Sequence, residues 1–447
     1  MDEQNIFLRI NTDAFIHNQV IRERKNRPAH NERYTQEFLV AFDSLVSGDY
    51  ATAKIHCKRL KRKCLIWLLY EEFDYYRRVY KKPVPTTALI APVFGIKPKK
   101  FEKFEQMVHD KLPKAKAFAQ NYSDFLEFKS TYETYKKLPI KHIAVCATMS
   151  AGKSTFINAL LGNDVLPARN EATTAKITSV YDRDGADRMI GFVQRSSGKT
   201  EKLTDDVQLN DIEEWNSDND VSHIFLQGDL DGIRNKNMIV AVHDTPGTNN
   251  SGDKTHHDVT MQFLHENKMD TLIFVANAEQ LCTTDEKTLL KELYEKIVAT
   301  QDLPVIFVIN KADSIDFEKE NLEDIVKNYK VYTENIGFKN VEVFPVSSKT
   351  TRLLKMALKE QSDLFSESEC DSFPLIVRKF SKRLNLESFG EESQNCVSEM
   401  TDTGTVTVDG ENYEESSVKT ALAHTGIGKI EKYIEAIFNK EVENDKF

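Results

Sequence analysis

Ile143-Ala-Val-Cys-Ala-Thr-Met-Ser-Ala-Gly-Lys-Ser-Thr-Phe-Ile-Asn-Ala-Leu-Leu-Gly162 moves from a short apolar run through a loop of small residues to Gly152-Lys153-Ser154. It continues into a segment with apolar residues at helical spacing: Phe156, Leu160 and Leu161. The pattern predicts a buried strand, a turn and a helix. That is the context a phosphate-binding loop requires. Backbone N–H groups of the loop and of the helix N-terminus converge on phosphate oxygens, the Lys153 amine reaches the β- and γ-phosphates, and the Ser154 hydroxyl ligates Mg²⁺. Met149, Ser150, Ala151, Gly152, Lys153, Ser154 and Thr155 are the candidate phosphate contacts, with Ala147 standing where the usual pattern has its first glycine.

Four further segments follow in an order that fits the same ligand. Glu171-Ala-Thr-Thr-Ala-Lys-Ile-Thr-Ser-Val180 runs from polar residues into a β-branched strand, and Thr174, or Thr173 beside it, offers a hydroxyl to close over Mg²⁺ and the γ-phosphate. Met238-Ile-Val-Ala-Val-His243 delivers Asp244-Thr-Pro-Gly247, where Asp244 can hold the Mg²⁺ water shell and Gly247 leaves an N–H free to approach the γ-phosphate. Val305-Ile-Phe-Val-Ile-Asn-Lys-Ala-Asp313 puts Asn310, Lys311 and Asp313 at another strand end. A carboxylate there accepts from guanine N1–H and the exocyclic amine together, a donor pair that adenine lacks. Val341-Glu-Val-Phe-Pro-Val-Ser-Ser-Lys349 ends a fourth strand with Ser347, Ser348 and Lys349, a small polar turn suited to the guanine carbonyl. Order and spacing together predict a guanine-nucleotide-binding domain with GTP or GDP and Mg²⁺ as its ligands, and Asn310-Lys-Ala-Asp313 opposes ATP.

Thr148-Met-Ser-Ala-Gly-Lys-Ser-Thr-Phe-Ile-Asn-Ala-Leu-Leu-Gly162, Leu166-Pro-Ala-Arg-Asn-Glu-Ala-Thr-Thr-Ala175 and Asp244-Thr-Pro-Gly-Thr-Asn-Asn-Ser251 resemble the bacterial dynamin-family GTPases. So does the acidic-ended strand Ile224-Phe-Leu-Gln-Gly-Asp-Leu230. The resemblance spans roughly 140–350 and the closing helix near 425–440. It implies GTP hydrolysis, weak nucleotide affinity and activation by dimerisation of the nucleotide domains. It places Ser150 beside the transferring phosphate, which makes Ser150 a catalytic candidate with Lys153, Thr174, Asp244 and Gly247; Ser154, Thr174 and Asp244 are the metal candidates. Eukaryotic dynamins carry a Gln at the position of Met149 and use it to orient the attacking water. Met149 has no polar group for that task, so Thr174, backbone groups or a second protomer must hold the water. The long helical stalk that follows a dynamin nucleotide domain is also missing before Phe447, which leaves membrane assembly open.

Bulk properties bound the rest. The chain has 447 residues, 40% hydrophobic and 29% charged, enough for two or three domains with substantial cores. The longest apolar run, Cys64-Leu-Ile-Trp-Leu-Leu-Tyr70, falls far short of the roughly 20 residues of a membrane helix, and Met1-Asp-Glu-Gln-Asn does not start a signal peptide. Six cysteines without metal-like or disulfide-like spacing predict a reduced, cytoplasmic protein. The net charge of −10 is uneven: residues 1–139 hold 26 Lys and Arg against 17 Asp and Glu, so the remainder is strongly acidic.

The expected architecture is an α/β domain with a mainly parallel sheet, preceded by an all-helical domain. Residues 1–139 read as a helical basic domain, 140–358 as the nucleotide-domain core, 359–423 as an acidic insertion and 424–447 as a helix packing back on the core. The block 51–100, with 13 basic and 3 acidic residues, suggests an anionic membrane surface or a nucleic acid as partner, or simply a solvated face. Ala88-Leu-Ile-Ala-Pro-Val-Phe-Gly-Ile96, bracketed by lysines, fits either insertion into an anionic bilayer or a buried crossover between helices. Two functions remain: a GTPase working as a homodimer or oligomer, and a GTP-dependent switch whose basic domain recognises RNA, ribosome or DNA.

Overall fold

A computed structural model describes residues 37–111, 138–168, 176–247, 254–388 and 404–444, apart from 39, 43, 61–62, 80–81, 187–188, 198–199, 205 and 235–237. The chain divides into two compact units, 1–137 and 138–447.

The first unit is helical where described. Its helices α1 (Tyr50–Leu60), α2 (Lys63–Val79) and α3 (Phe101–Lys111) surround a core that includes Phe38, Leu45, Cys57, Leu60, Leu68, Phe73 and Val108. Apolar residues three and four apart fall on one stripe of each helix, which is why these segments coil and pack. Within 88–96, Ile90, Ala91, Val93 and Phe94 are buried in this core, and the Tyr70 ring meets those of Phe94, Phe101 and Phe104 edge-on at 5.3–5.7 Å. The stretch is the buried crossover; most of its apolar surface is already spent on the core, leaving Leu89 outside at 52% exposure.

The second unit is built on a nine-stranded sheet: β1 (Ile140–Ala147), β2 (Ile177–Asp182), β3 (Ile190–Arg195), β4 (Thr200–Thr204), β5 (Val221–Gly228), β6 (Ile239–Asp244), β7 (Thr271–Asn277), β8 (Val305–Asn310) and β9 (Glu342–Val346). Their spatial order is β4-β3-β5-β2-β6-β1-β7-β8-β9. β6, β1, β7, β8 and β9 run parallel. β2 turns antiparallel to β6, and β3 pairs antiparallel with both β4 and β5. The sheet is therefore mainly parallel, as expected, with an antiparallel edge between 177 and 228 that strand–helix alternation does not announce.

Both faces of the sheet are covered, so its strands read as continuous apolar runs. Along β1 the side chains alternate: Ile143, Val145 and Ala147 join one buried cluster, Ala144 and Cys146 the other. The first face is closed by α4 (Lys153–Leu161), α5 (Leu209–Ser217) and the C-terminal α12 (Ile427–Asn444), whose Ile427, Ile430, Ile434 and Phe438 are buried. The second face carries α6 (Lys254–Glu266), α7 (Thr284–Leu293), α8 (Leu322–Ile336), α9 (Ser348–Leu358), α10 (Glu367–Lys382) and α11 (Glu415–Ala423). Within 359–423, Phe373, Val377, Phe380, Val418 and Ala421 share a buried cluster with β7 and β8, as do Val406 and Val408 of the hairpin β10 (Thr405–Val408) and β11 (Glu411–Glu414). Gly426 opens α12 against the end of β9. Its φ is +85°, and a Cβ there would lie 2.2 Å from the Pro345 carbonyl, so only glycine lets the two segments approach. Among the described residues no helix is long and apolar enough to cross a membrane.

Candidate functional site

Nucleotides bind beyond the carboxyl ends of strands in such sheets, and here the ends of β1, β6, β8 and β9 carry the residues singled out above. The loop after β1 turns sharply: Ser150 has φ 61° and Gly152 φ 85°. Left-handed backbone at a serine costs about 1–3 kcal/mol and persists where the surroundings enforce it. Met149 and Ser150 are exposed, Ala151 is buried, and Gly152 lies so close to Asn310 that a Cβ would sit 2.4 Å from its Nδ2. Thr155 is half-buried on the first turn of α4.

Lys153 is the first residue of α4 and is 7% exposed. Its Nζ forms a buried ion pair with Oδ1 of Asp244, the last residue of β6. The Ser154 hydroxyl donates to Oδ2 of the same carboxylate at 3.2 Å. β1 and β6 are neighbours in register, with Val145 opposite Asp244, so the two strand ends bring the ammonium, the hydroxyl and the carboxylate together. Thr245 extends the link by donating to the Val145 carbonyl at 2.8 Å. Among the described residues nothing lies within 4 Å of a Cβ added at Gly247. Burial pushes the nearby Cys146 thiol up to about 11, keeping it a small apolar filler rather than a nucleophile.

Asn310 ties the loop to the fourth strand end. Its Nδ2 donates to the Ala151 carbonyl at 2.9 Å, and its Oδ1 accepts from the Ser348 N–H at 3.1 Å. Both ends of the amide are thus engaged by backbone, so Asn310 acts as a strut between the phosphate loop and the Ser347–Lys349 turn. Lys311 follows with φ 60°, its Nζ 3.8 Å from Glu279. Asp313 stands on a half-exposed helical turn whose carbonyl accepts from Lys379 Nζ at 2.7 Å. The Ser347 hydroxyl donates to Thr350 at 2.9 Å, its N–H donates to the Thr425 carbonyl at 3.1 Å, and Lys349 is exposed. Thr173 and Thr174 lie outside the described residues, as does Thr248.

Thr245, inside the Asp244–Gly247 motif but given no role there, and Lys379 and Thr425, outside every motif, support the site. Each acts through a backbone or hydroxyl contact with a residue remote in the chain, and no local motif marks such a partner. His243, next to Asp244, is buried on the other face and bonded to His142 at 3.0 Å and Ser179 at 2.7 Å. Burial, followed by the neighbouring imidazoles, holds its pKa well below the usual range, which suits a neutral structural histidine.

A buried lysine and a half-buried serine from a loop–helix junction, facing an aspartate at the end of the adjacent parallel strand, define a P-loop nucleotide-binding domain. Residues 143–312 match the family model described as "Dynamin family". Through these residues the nucleotide domain is similar to the dynamin family. A bacterial dynamin-like protein of Nostoc punctiforme is 25% identical over 195 residues, 41% of this chain and 26% of that protein. An uncharacterized protein in the xynA 3′ region of Caldicellulosiruptor sp. is 28% identical over 246 residues, 54% of this chain and 56% of its own. The chain thus spans about half of one relative and a quarter of the other. A structure of an oligomerised bacterial dynamin pair aligns over 98% of this chain and 62% of its own length, at 14% identity and a TM-score of 0.37. Aquifex aeolicus Era bound to GDP and aluminium fluoride aligns over 55% and 67%, at 17% identity and a TM-score of 0.29. Scores this low add nothing to the family match.

Proposed function

We propose that this chain hydrolyses GTP to GDP and phosphate with Mg²⁺, and that two nucleotide domains meeting across their sites complete the catalytic arrangement. The observation that supports it most is the convergence of Lys153, Ser154 and Asp244 at adjoining strand ends. When GTP enters, the Lys153 ammonium exchanges the Asp244 carboxylate for β- and γ-phosphate oxygens, and the loop N–H groups take the remaining lone pairs. A hydroxyl and a carboxylate side by side are a hard-oxygen donor set that fits Mg²⁺, so Ser154 and Asp244, with Thr174, would hold the ion. Bound there, Mg²⁺ would neutralise phosphate charge. Water attacks the γ-phosphorus as the bond to the β,γ-bridging oxygen breaks. The chain contributes position and charge, and no covalent intermediate is needed. Asp313 selects guanine by double acceptance, while Asn310 keeps the base-side turn joined to the phosphate loop.

Met149 is apolar and 41% exposed at the mouth of the loop, beside the exposed Ser150. Neither is walled in by the protomer's own described residues, which is consistent with a second copy ordering them and excluding bulk water. Phosphate release per molecule, followed over a wide range of protein concentration with Mg²⁺ and with a chelator, tests both parts. It is expected to rise with concentration and to vanish on chelation. Flat specific activity together with a monomeric complex with GDP and aluminium fluoride would remove the dimer mechanism and favour the nucleotide-dependent binding switch.

A further inference from the structure

The sheet carries a second group of charges at its other end. β2 runs antiparallel to β6 with Thr178 opposite Asp244, so Asp182 lies four residues along the strand from the nucleotide side, about 13 Å away. β5 pairs Gly228 with Asp182 and delivers Asp229 next, while Asp184 sits in the turn that follows β2. One carboxylate oxygen from each of Asp182, Asp184 and Asp229 lies within 4.8 Å of the others. Like charges this close repel. Asp182 Oδ1 accepts from the Leu230 N–H at 2.8 Å, and Asp229 Oδ2 from the Gly185 N–H at 3.0 Å. The Arg234 guanidinium is 3.7 Å from Asp229.

A separate observation points to a ligand. Asp182 is fully buried, and its Oδ2 has no hydrogen-bond partner among the described residues. A buried carboxylate oxygen left this way costs several kcal/mol unless a cation or proton meets it. We propose that Asp182, Asp184 and Asp229 hold a divalent cation, Ca²⁺ by preference, at the end of the sheet away from the nucleotide. The donor set is all oxygen, which selects a hard cation. Its ligands come from turns, whose irregular geometry and additional carbonyls suit Ca²⁺ at 2.3–2.6 Å better than the strict octahedron of Mg²⁺.

The site has a mechanical consequence. Asp231, in the turn after Asp229, lies 3.6 Å from Lys355 and 3.7 Å from Lys359, both on or just beyond α9. The Arg234 N–H donates to Glu435 of α12 at 2.8 Å. A cation on Asp229 would stiffen the turn on which α9 and α12 both rest.

The test is titration calorimetry with CaCl₂ on the full, chelator-treated, nucleotide-free chain, paired with thermal unfolding. One ion per chain and a Tm several degrees higher in Ca²⁺ are expected. Both effects should survive Ser154→Ala, which alters only the nucleotide's metal ligand, and disappear in Asp184→Asn and in Asp182→Asn. Absence of binding at millimolar Ca²⁺ would overturn the site, as would unchanged binding by an Asp184→Asn/Asp229→Asn double variant. Tighter binding of Mg²⁺ or Mn²⁺ than of Ca²⁺ at these residues would overturn the choice of ion.

Discussion

Asp244 and Asp182 both end a strand of one sheet and are both buried, yet the protein treats them oppositely. Asp244 meets an ammonium and a hydroxyl; Asp182 Oδ2 accepts no hydrogen bond among the described residues. The difference shows how a fold stores charge. At the Lys153 end the positive partner is built into the chain, and the proposed function exchanges it for phosphate. At the far end one buried carboxylate oxygen, Asp182 Oδ2, accepts no hydrogen bond among the described residues.

Removing the built-in cation should have the largest effect. Lys153→Ala leaves the Asp244 carboxylate without its ammonium and the phosphates without their lysine. GTP turnover is expected to fall by ~10³-fold or more, and stability by about 3 kcal/mol. Near wild-type phosphate release would show that the phosphate loop lies elsewhere.

Specificity comes next. Asp313→Asn turns a double acceptor into one acceptor and one donor, so that a guanine N–H faces an N–H. GTP affinity is expected to drop on the order of 10³-fold, while xanthosine triphosphate, with oxygen in place of the amine, gains. Competition binding with the two nucleotides reads this directly, and an unchanged preference for GTP would move the base site away from Asp313.

The smallest effect concerns a third buried carboxyl. Glu286 on α7 is 1% exposed, and burial pushes its pKa up to about 7, against the pull of the nearby Tyr329 hydroxyl. A folded-state value above the unfolded one favours folding at low pH. The contribution is fully present below about pH 4.5 and is lost as pH rises through about 7. Glu286→Gln, neutral throughout, should flatten that slope and stabilise the protein at pH 8 by up to about 3 kcal/mol relative to wild type. Denaturant unfolding at pH 5 and pH 8 measures it; parallel curves for the two proteins would mean that Glu286 ionises freely in the fold.

Much of the nucleotide end was legible because its signals are local. Apolar runs of five to seven residues that stop at Gly152-Lys153-Ser154, Asp244-Thr-Pro-Gly247 or Asn310-Lys-Ala-Asp313 are visible without knowing which strands are neighbours. The antiparallel edge was not legible. β3 and β4 are short, their pairing shifts register between Gly191 and Val193, and nothing local distinguishes them from a long loop. The far-end carboxylates were hidden for a related reason: Asp182 and Asp229 meet only because β2 and β5, 44 positions apart at Ser179 and His223, lie side by side.

The sequence by itself determined the strand–loop–helix around Lys153 and the mainly parallel α/β architecture. Each follows from residue type and period within a few turns of chain. Tertiary structure alone decided that Asn310 would brace Ala151 against Ser348, that Lys379 would hold the Asp313 turn and that the start of α12 would meet the end of β9. These contacts join residues 38 to 159 positions apart. Neither propensity nor periodicity carries information over such distances; the packing of two layers of helices on one sheet does.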